Sequence, residues 1–199
     1  ILIEFIMKKE KNTTTKKNKR LTISRLFTSI KKDVYNAFTY DSRSSVIRNP
    51  SGEEVFRMDN VEVPSGWSQV ATDILAKKYF RKTGVPTATD KNGAEHSVKQ
   101  VVHRMASTWQ HWGEKYGYFN SASDSKAFYD EIVFMLLSQM AAPNSPQWFN
   151  TGLYHTYGIT GNAQGHFFVD PETEKINRST SAYIRPQPHA CFILSVDDD

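Results

Sequence analysis

Two consecutive apolar stripes at helical spacing constrain this chain more than any other feature. Val98, Val101, Val102, Met105, Trp109, Trp112 and Tyr116 recur at i, i+3, i+4 and i+7 over residues 95–117. Phe128, Ile132, Met135, Leu136 and Met140 continue the pattern, with Ser123 or Asp124 as N-cap and Pro143 as the stop. The connection around Tyr118–Ser121 is short, which predicts an antiparallel helical hairpin around one core. A tryptophan-rich stripe can cage a ligand, but at this spacing its role is packing.

The flanking segments carry different signals. Residues 21–44 mix apolar and basic positions without a clear period. Residues 45–64 read as a β-hairpin turning at Asn49-Pro50-Ser51-Gly52. Ser68 caps a helix whose apolar positions are Val70, Ile74, Leu75 and Tyr79, and Gly84 and Pro86 end it. Residues 85–94 are a loop. Residues 153–187 are rich in Gly, Thr and Asn with little period, as in a functional loop or an insertion. Ala190-Cys191-Phe192-Ile193-Leu194-Ser195-Val196 is a continuous apolar run, suited to a strand buried on both faces. Such a strand needs sheet neighbours that this sequence does not supply, so it reads as the start of an incomplete unit.

Charge is unevenly placed. Residues 1–20 hold seven basic and two acidic side chains, a net of +5, which leaves the rest near −1 in a chain of net +4. The basicity therefore belongs to a disordered leader, and a nucleic-acid-binding role for it lacks interleaved aromatics and any fold motif. Met7 followed by two lysines reads as a natural start, with residues 1–6 as upstream sequence. The opening fails as a signal peptide, and no stretch approaches the ~20 apolar residues of a membrane helix. A cytoplasmic protein with no membrane contact is expected.

The single cysteine, Cys191, excludes an internal disulfide framework and a cysteine-rich zinc site. Six histidines show no metal-ligand spacing, and His103 and His111 share a helix face but stand too far apart to chelate one ion. No metal site is expected. On its own surroundings Cys191 is a small buried hydrophobe with a raised pKa.

Several ordered blocks nevertheless resemble one family. They are Val61-Glu62-Val63-Pro64, Trp67-Ser68-Gln69, Ala71-Thr72, Lys77-Lys78-Tyr79-Phe80-Arg81 and Trp112-Gly113 with Gly117-Tyr118-Phe119. Asn144-Ser145-Pro146-Gln147-Trp148-Phe149-Asn150-Thr151-Gly152 and Pro188-His189-Ala190-Cys191 with Asp198 complete the set. Together, over roughly residues 45–199, they resemble the N-terminal part of the adenosylcobalamin-dependent (class II) ribonucleoside-diphosphate reductases. A class I enzyme, fed its radical by a diiron partner subunit, is the near alternative within the family.

The resemblance implies a mixed α/β fold: a mainly helical N-terminal region with a hairpin, leading into the first strand of an incomplete α/β barrel of the ribonucleotide-reductase type. It implies three parts: a leader over 1–20, a hairpin and helical region over 21–142, and the start of the catalytic barrel over 143–199. It implies radical reduction of ribonucleotides with a cysteine pair as reductant. Cys191 matches the first reducing cysteine. Ser145 matches a substrate-binding hydroxyl. Ala190 stands where the family often has Ser, with a contact through backbone. Asp198 matches a position near the effector site, although three terminal aspartates also read as a solvated tail. The implied cofactor is adenosylcobalamin, with no ligand for it identifiable in this chain. The implied partners are a ribonucleotide substrate, a deoxynucleotide effector, a thioredoxin-type reductant and a second copy in a homodimer. The isolated chain is expected to be inactive, because the other cysteines would lie beyond residue 199. The alternative is a non-catalytic nucleotide-binding or regulatory module related to the same region.

Overall fold

A computed structural model describes residues 20–86 and 93–187. Cys191, Ala190, Asp198, the apolar run at 190–196 and the leader through residue 19 all lie outside the described residues.

The hairpin comes first. Strand β1 (Tyr40–Arg48) pairs antiparallel with β2 (Glu54–Pro64), from Tyr40 opposite Pro64 to Arg48 opposite Glu54. At the turn the Asn49 side chain accepts from the Glu53 amide at 2.9 Å, and Gly52 takes a φ of 84° that suits glycine. The pairing starts five residues earlier than expected. Tyr40–Arg43 lack β-branched residues, but Arg43 donates to the carbonyls of Ser65 at 2.8 Å and Trp67 at 2.5 Å. Val61 and Val63 are fully buried in the core, and Tyr40, Phe56 and Met58 pack against it.

Helix α1 (Gln69–Ile74) begins where expected, with the Ser68 hydroxyl accepting from the Ala71 amide at 3.1 Å. It continues as a wider π-helical turn over Leu75–Tyr79. The expected stripe is corrected here. Val70 is 67% exposed and Ile74 is exposed too, while Thr72, Leu75 and Ala76 face the core. Six residues are too few for the apolar pattern to fix a phase, and the π turn rotates the residues after it relative to those before.

Helix α2 (Val98–Lys115) starts at a capping box. Ser97 Oγ accepts from the Lys99 amide at 3.1 Å, and Gln100 Oε1 accepts from the Ser97 amide at 3.0 Å. Val98, Val101, Val102 and Met105 are fully buried. Trp109 packs at the core's edge and Tyr116 is exposed. Gly113 is required, because a Cβ there would stand 2.4 Å from the Phe119 ring.

Helix α3 (Ala122–Leu137) packs beside α2. His103 meets Tyr129 while Gln110 meets Ser125, so the two helices run antiparallel as expected. Its details differ from expectation. The cap is Ser121, whose Oγ accepts from the Asp124 amide at 3.2 Å. The helix ends at Leu137, six residues before Pro143, and Gln139 then takes a φ of 58°. Met140 is 58% exposed and Phe128 only half-buried, whereas Asp124, Asp130 and Glu131 are buried beside Val133, Leu136 and Leu137.

The acids are buried because residues 21–28, unassigned from sequence, run along α3 as a strap. Glu131 accepts from the amides of Leu26 at 3.1 Å, Phe27 at 3.1 Å and Thr28 at 2.9 Å, and from the Thr28 hydroxyl at 2.6 Å. Asp124 accepts from the Ile23 amide at 2.9 Å, and Arg25 pairs with Asp130 at 2.8 Å. Enclosed by α2 on one side and the strap on the other, α3 has no clean apolar face to read.

The last part is irregular. Two short helices, α4 (Ser145–Asn150) and α5 (Leu153–Tyr157), precede a small antiparallel hairpin of β3 (Phe167–Val169) and β4 (Ile176–Arg178). Residues 153–187 are thus not a featureless loop. The fold is mixed α/β, and no barrel is seen among the described residues. Nor among them is any helix long and apolar enough to cross a membrane.

Candidate functional site

Ser145 is the one sequence-predicted site residue within the described segments. It opens α4. Asn144 caps the helix, its side chain accepting from the Gln147 amide at 3.3 Å, and Pro146 stands early in the first turn, where its missing N–H costs nothing. The Ser145 hydroxyl is exposed and stands 3.0 Å from the Tyr79 hydroxyl. The Tyr79 ring stacks on Trp148 at 5.4 Å and 16°. Trp148 is itself buried, its indole N–H donating to the Pro143 carbonyl at 3.0 Å. The hydroxyl therefore rests on an aromatic shelf that limits where it can point.

What fixes the shelf is Arg104, which the apolar stripe of α2 conceals. Arg104 and Glu95 are both 0% exposed. Arg104 Nε donates to Glu95 Oε1 at 2.8 Å. Its Nη1 donates to the Thr151 carbonyl at 2.7 Å, and its Nη2 to the carbonyls of Trp148 at 2.5 Å and Tyr79 at 3.2 Å. The short α4 leaves the Trp148 and Thr151 carbonyls without helical partners, and the guanidinium fork satisfies both. Glu95 also accepts from the Arg81 amide at 2.7 Å and the Tyr157 hydroxyl at 2.9 Å. Burial, then the Glu95 charge, pushes the Tyr157 hydroxyl far above the ordinary phenol range, so it stays protonated and donating.

Gly152 closes the arrangement. Its φ is 87°, and a Cβ there would lie 2.1 Å from the Arg104 carbonyl oxygen. The block Asn144–Gly152 is thereby accounted for by its parts: a cap, a presented hydroxyl, a helix-starting proline, a buried ring and a glycine pressed on α2. Sequence reasoning missed Arg104, Glu95 and Tyr79. The available signal was a single arginine flanked by Val102 and Met105 on a core stripe, which buries only with a partner.

Chemically, the arrangement can hold one exposed hydroxyl as a hydrogen-bond donor or acceptor at a fixed point. The structure brings neither Cys191, Ala190 nor Asp198 to it, since all three lie outside the described residues. Among the described residues no three His, Cys, Asp or Glu side chains converge as metal ligands. The histidines have other contacts: His103 Nδ1 lies 2.7 Å from the Tyr129 hydroxyl, His166 Nε2 lies 2.8 Å from the Arg185 carbonyl oxygen, and His111 stacks on His155.

Comparison with known proteins agrees with the motif reading as far as a class II ribonucleotide reductase. Residues 41–139 match the model of a family described as class II vitamin B12-dependent ribonucleotide reductase. Curated proteins named vitamin B12-dependent ribonucleotide reductase are similar over most of the chain. The protein from Bradyrhizobium diazoefficiens is 47% identical over 207 residues, covering 90% of this chain and 16% of that protein. Its counterpart from Agrobacterium fabrum is 45% identical with the same coverage, and that from Rhodopirellula baltica 39% identical over 80% of this chain and 15% of its own length. The chain thus spans about one-sixth of the length of the curated relatives it matches.

Proposed function

The chain carries the N-terminal region of a class II vitamin B12-dependent ribonucleotide reductase, and from that premise we propose that it supplies one wall of the site where ribonucleotides become deoxyribonucleotides. The observation that carries this reading is the Ser145 hydroxyl, exposed on α4 and oriented by Tyr79 over a shelf bolted to Arg104. A hydroxyl held this way suits a phosphate or ribose oxygen of the substrate, a ribonucleoside diphosphate on the motif resemblance.

In this reading residues 143–199 begin the catalytic barrel, after a leader at 1–20 and a helical region at 21–142. Cys191 is the first of two reducing thiols. Two thiols become a disulfide, the ribose 2′ C–O bond gives way to C–H, and the oxygen leaves as water. The second thiol must come from outside this sequence, which has one cysteine. Ala190 meets substrate through its backbone, and Asp198 accepts from the ribose of a deoxynucleotide effector. Adenosylcobalamin would supply the initiating radical. A thioredoxin-type reductant, a homodimer and a cytoplasmic location complete the proposal.

The test is kinetic. In the holoenzyme reconstituted with adenosylcobalamin, Ser145→Ala should raise the substrate KM about tenfold, the worth of one hydrogen bond to a charged ligand. Tyr79→Phe, which keeps the ring on Trp148, should give a smaller rise of about twofold to fivefold. A KM unchanged by Ser145→Ala would remove this hydroxyl from the substrate site.

A further inference from the structure

The helical hairpin carries a chain of three polar rings away from the shelf. His103 Nδ1 of α2 lies 2.7 Å from the Tyr129 hydroxyl of α3, and that hydroxyl lies 2.9 Å from the Tyr35 hydroxyl. The His103 and Tyr129 rings meet edge to face, with centroids 5.9 Å apart and planes at 74°. Tyr35 belongs to a 3-10 turn, Val34–Ala37, which lies between the strap and β1. The turn sits on α3: Val34 is buried, and Phe38 just after it packs on Phe134 at 5.2 Å. Both tyrosine rings pack against the core and are half-buried.

Two hydroxyls and a neutral imidazole give this chain one favoured direction. An imidazole nitrogen is a better acceptor than a phenol oxygen, and a phenol is a better donor than an imidazole N–H. Tyr129 therefore donates to Nδ1, the His103 proton stands on Nε2, and the Tyr129 oxygen accepts from Tyr35. Burial favours this state. It holds the His103 imidazole below its ordinary value of about 6.5, and the Tyr129 and Tyr35 hydroxyls above theirs. A protonated imidazole donates at both nitrogens. Its Nδ1–H would then point at the Tyr129 oxygen, and one of the two phenol protons would be left without an acceptor at a half-buried contact.

The lysines around the rings have partners of their own. On α2, Lys99, one turn before His103, pairs with Glu62 of β2 at 2.8 Å. On α3, Lys126 pairs with Asp130 and lies 5.3 Å over the Tyr129 ring. Asp33 accepts from the Tyr35 amide at 2.9 Å, and the Tyr40 hydroxyl of β1 donates to the Tyr35 carbonyl at 3.2 Å. From α5, His155 feels the His103 charge, after burial and His111. Among these groups His103 alone meets a tyrosine hydroxyl through an atom that can gain a proton.

We propose that His103, Tyr129 and Tyr35 form a pH-sensitive latch on the segment Val34–Phe38. Neutral His103 draws both hydroxyl bonds one way and holds the segment on α3, whereas protonated His103 breaks one of them and loosens it. The latch shares no residue with Tyr79, Asn144 or Ser145 and does not depend on the reading of that shelf.

NMR of the chain tests it. The Asn36 and Phe38 amides donate within the turn, to the carbonyls of Asp33 and Tyr35. Corrected for its intrinsic pH dependence, hydrogen exchange at these amides should quicken at least fivefold from about pH 7.5 to about pH 5.5, following the ring titration of His103. His103→Gln, whose side-chain oxygen accepts at either pH, should abolish the quickening. Tyr129→Phe should raise the His103 midpoint by at least about half a pH unit, roughly threefold in proton affinity, because the neutral ring loses its donor. Tyr35→Phe should raise it by less. Equal protection at the two pH values, quickening that survives in His103→Gln, or a His103 midpoint unmoved by Tyr129→Phe would overturn the proposal. A midpoint that answers Tyr129→Phe but not Tyr35→Phe would end the chain at α3 and overturn its hold on the turn.

Discussion

The strap at residues 21–28 and the shelf at 144–152 are both fastened by charged side chains, but in opposite ways. The strap offers backbone amides, and the carboxylates of Glu131 and Asp124 accept them. The shelf offers backbone carbonyls, and the Arg104 guanidinium donates to them. The strap lies at the surface, with Leu21 and Leu26 largely exposed. The shelf's anchor sees no solvent at all. Carboxylates that hold a surface segment can release it locally, with the helices behind it intact. A buried guanidinium cannot let go without exposing Glu95 and three carbonyls together. The candidate site is thus tied to the global fold, and the strap is not.

The largest expected effect breaks the shelf. Glu95→Gln leaves the guanidinium buried without its counter-charge, which should cost about 3–5 kcal/mol. Thermal unfolding monitored by circular dichroism should show a Tm lower by about 10 °C. A loss under about 1 kcal/mol would mean that the shelf is no more firmly anchored than the strap.

A smaller effect belongs to the strap. Glu131→Gln should cost about 1–3 kcal/mol, and locally. Hydrogen exchange should quicken at the amides of 26–28 while Val101–Met105 keep their protection. Uniform quickening throughout both helices would erase the contrast.

The smallest effect is the pH response. For Glu131, burial raises the carboxyl pKa but the Thr28, Leu26 and Phe27 hydrogen bonds outweigh it, leaving it below the usual range. The Ser121 hydroxyl, then the Ile23 amide, depress Asp124 likewise. A carboxylate depressed in the fold stabilises above its ordinary pKa, and that contribution fades as pH falls through the ordinary range toward the folded value. Burial holds His103 and His155 low as well, so for them stability declines as pH drops below about 6.5. Denaturation midpoints should therefore fall in two stages on acidification. NMR shifts of the Ile23 and Leu26–Thr28 amides should track only the lower stage; if they moved with the histidine stage, Glu131 and Asp124 would not be the strap's anchors.

How legible is this fold in its sequence? Helix α2 is, because Val98, Val101, Val102 and Met105 share one fully buried face. Helix α3 is legible as a helix but not in its phase. Asp124, Asp130 and Glu131 are inside, and the strap that justifies them is about a hundred residues away in sequence. The hairpin's turn is plain in Asn49–Gly52, and its early start is not, since Arg43 bonds to backbone that no local pattern displays. The family is legible in motif blocks, among them Asn144–Gly152, without knowledge of what each residue does there. Asn144 and Pro146 do spell a helix start, although the density of polar residues around them resembles a loop. The Tyr79–Ser145 contact and the Glu95–Arg104 pair join segments by side chains alone, and no period or spacing encodes such pairs.

Apart from its Glu95 partner, the Arg104 fork reads main-chain oxygens, those of Tyr79, Trp148 and Thr151. Every amino acid carries that oxygen, so the path of the segment is specified apart from its side chains. The scaffold works as a mount: what stands at position 145 can be exchanged for another chemistry while the track beneath it stays put. Retuning the candidate site would take one substitution on the track, whereas moving the track would mean rebuilding the core.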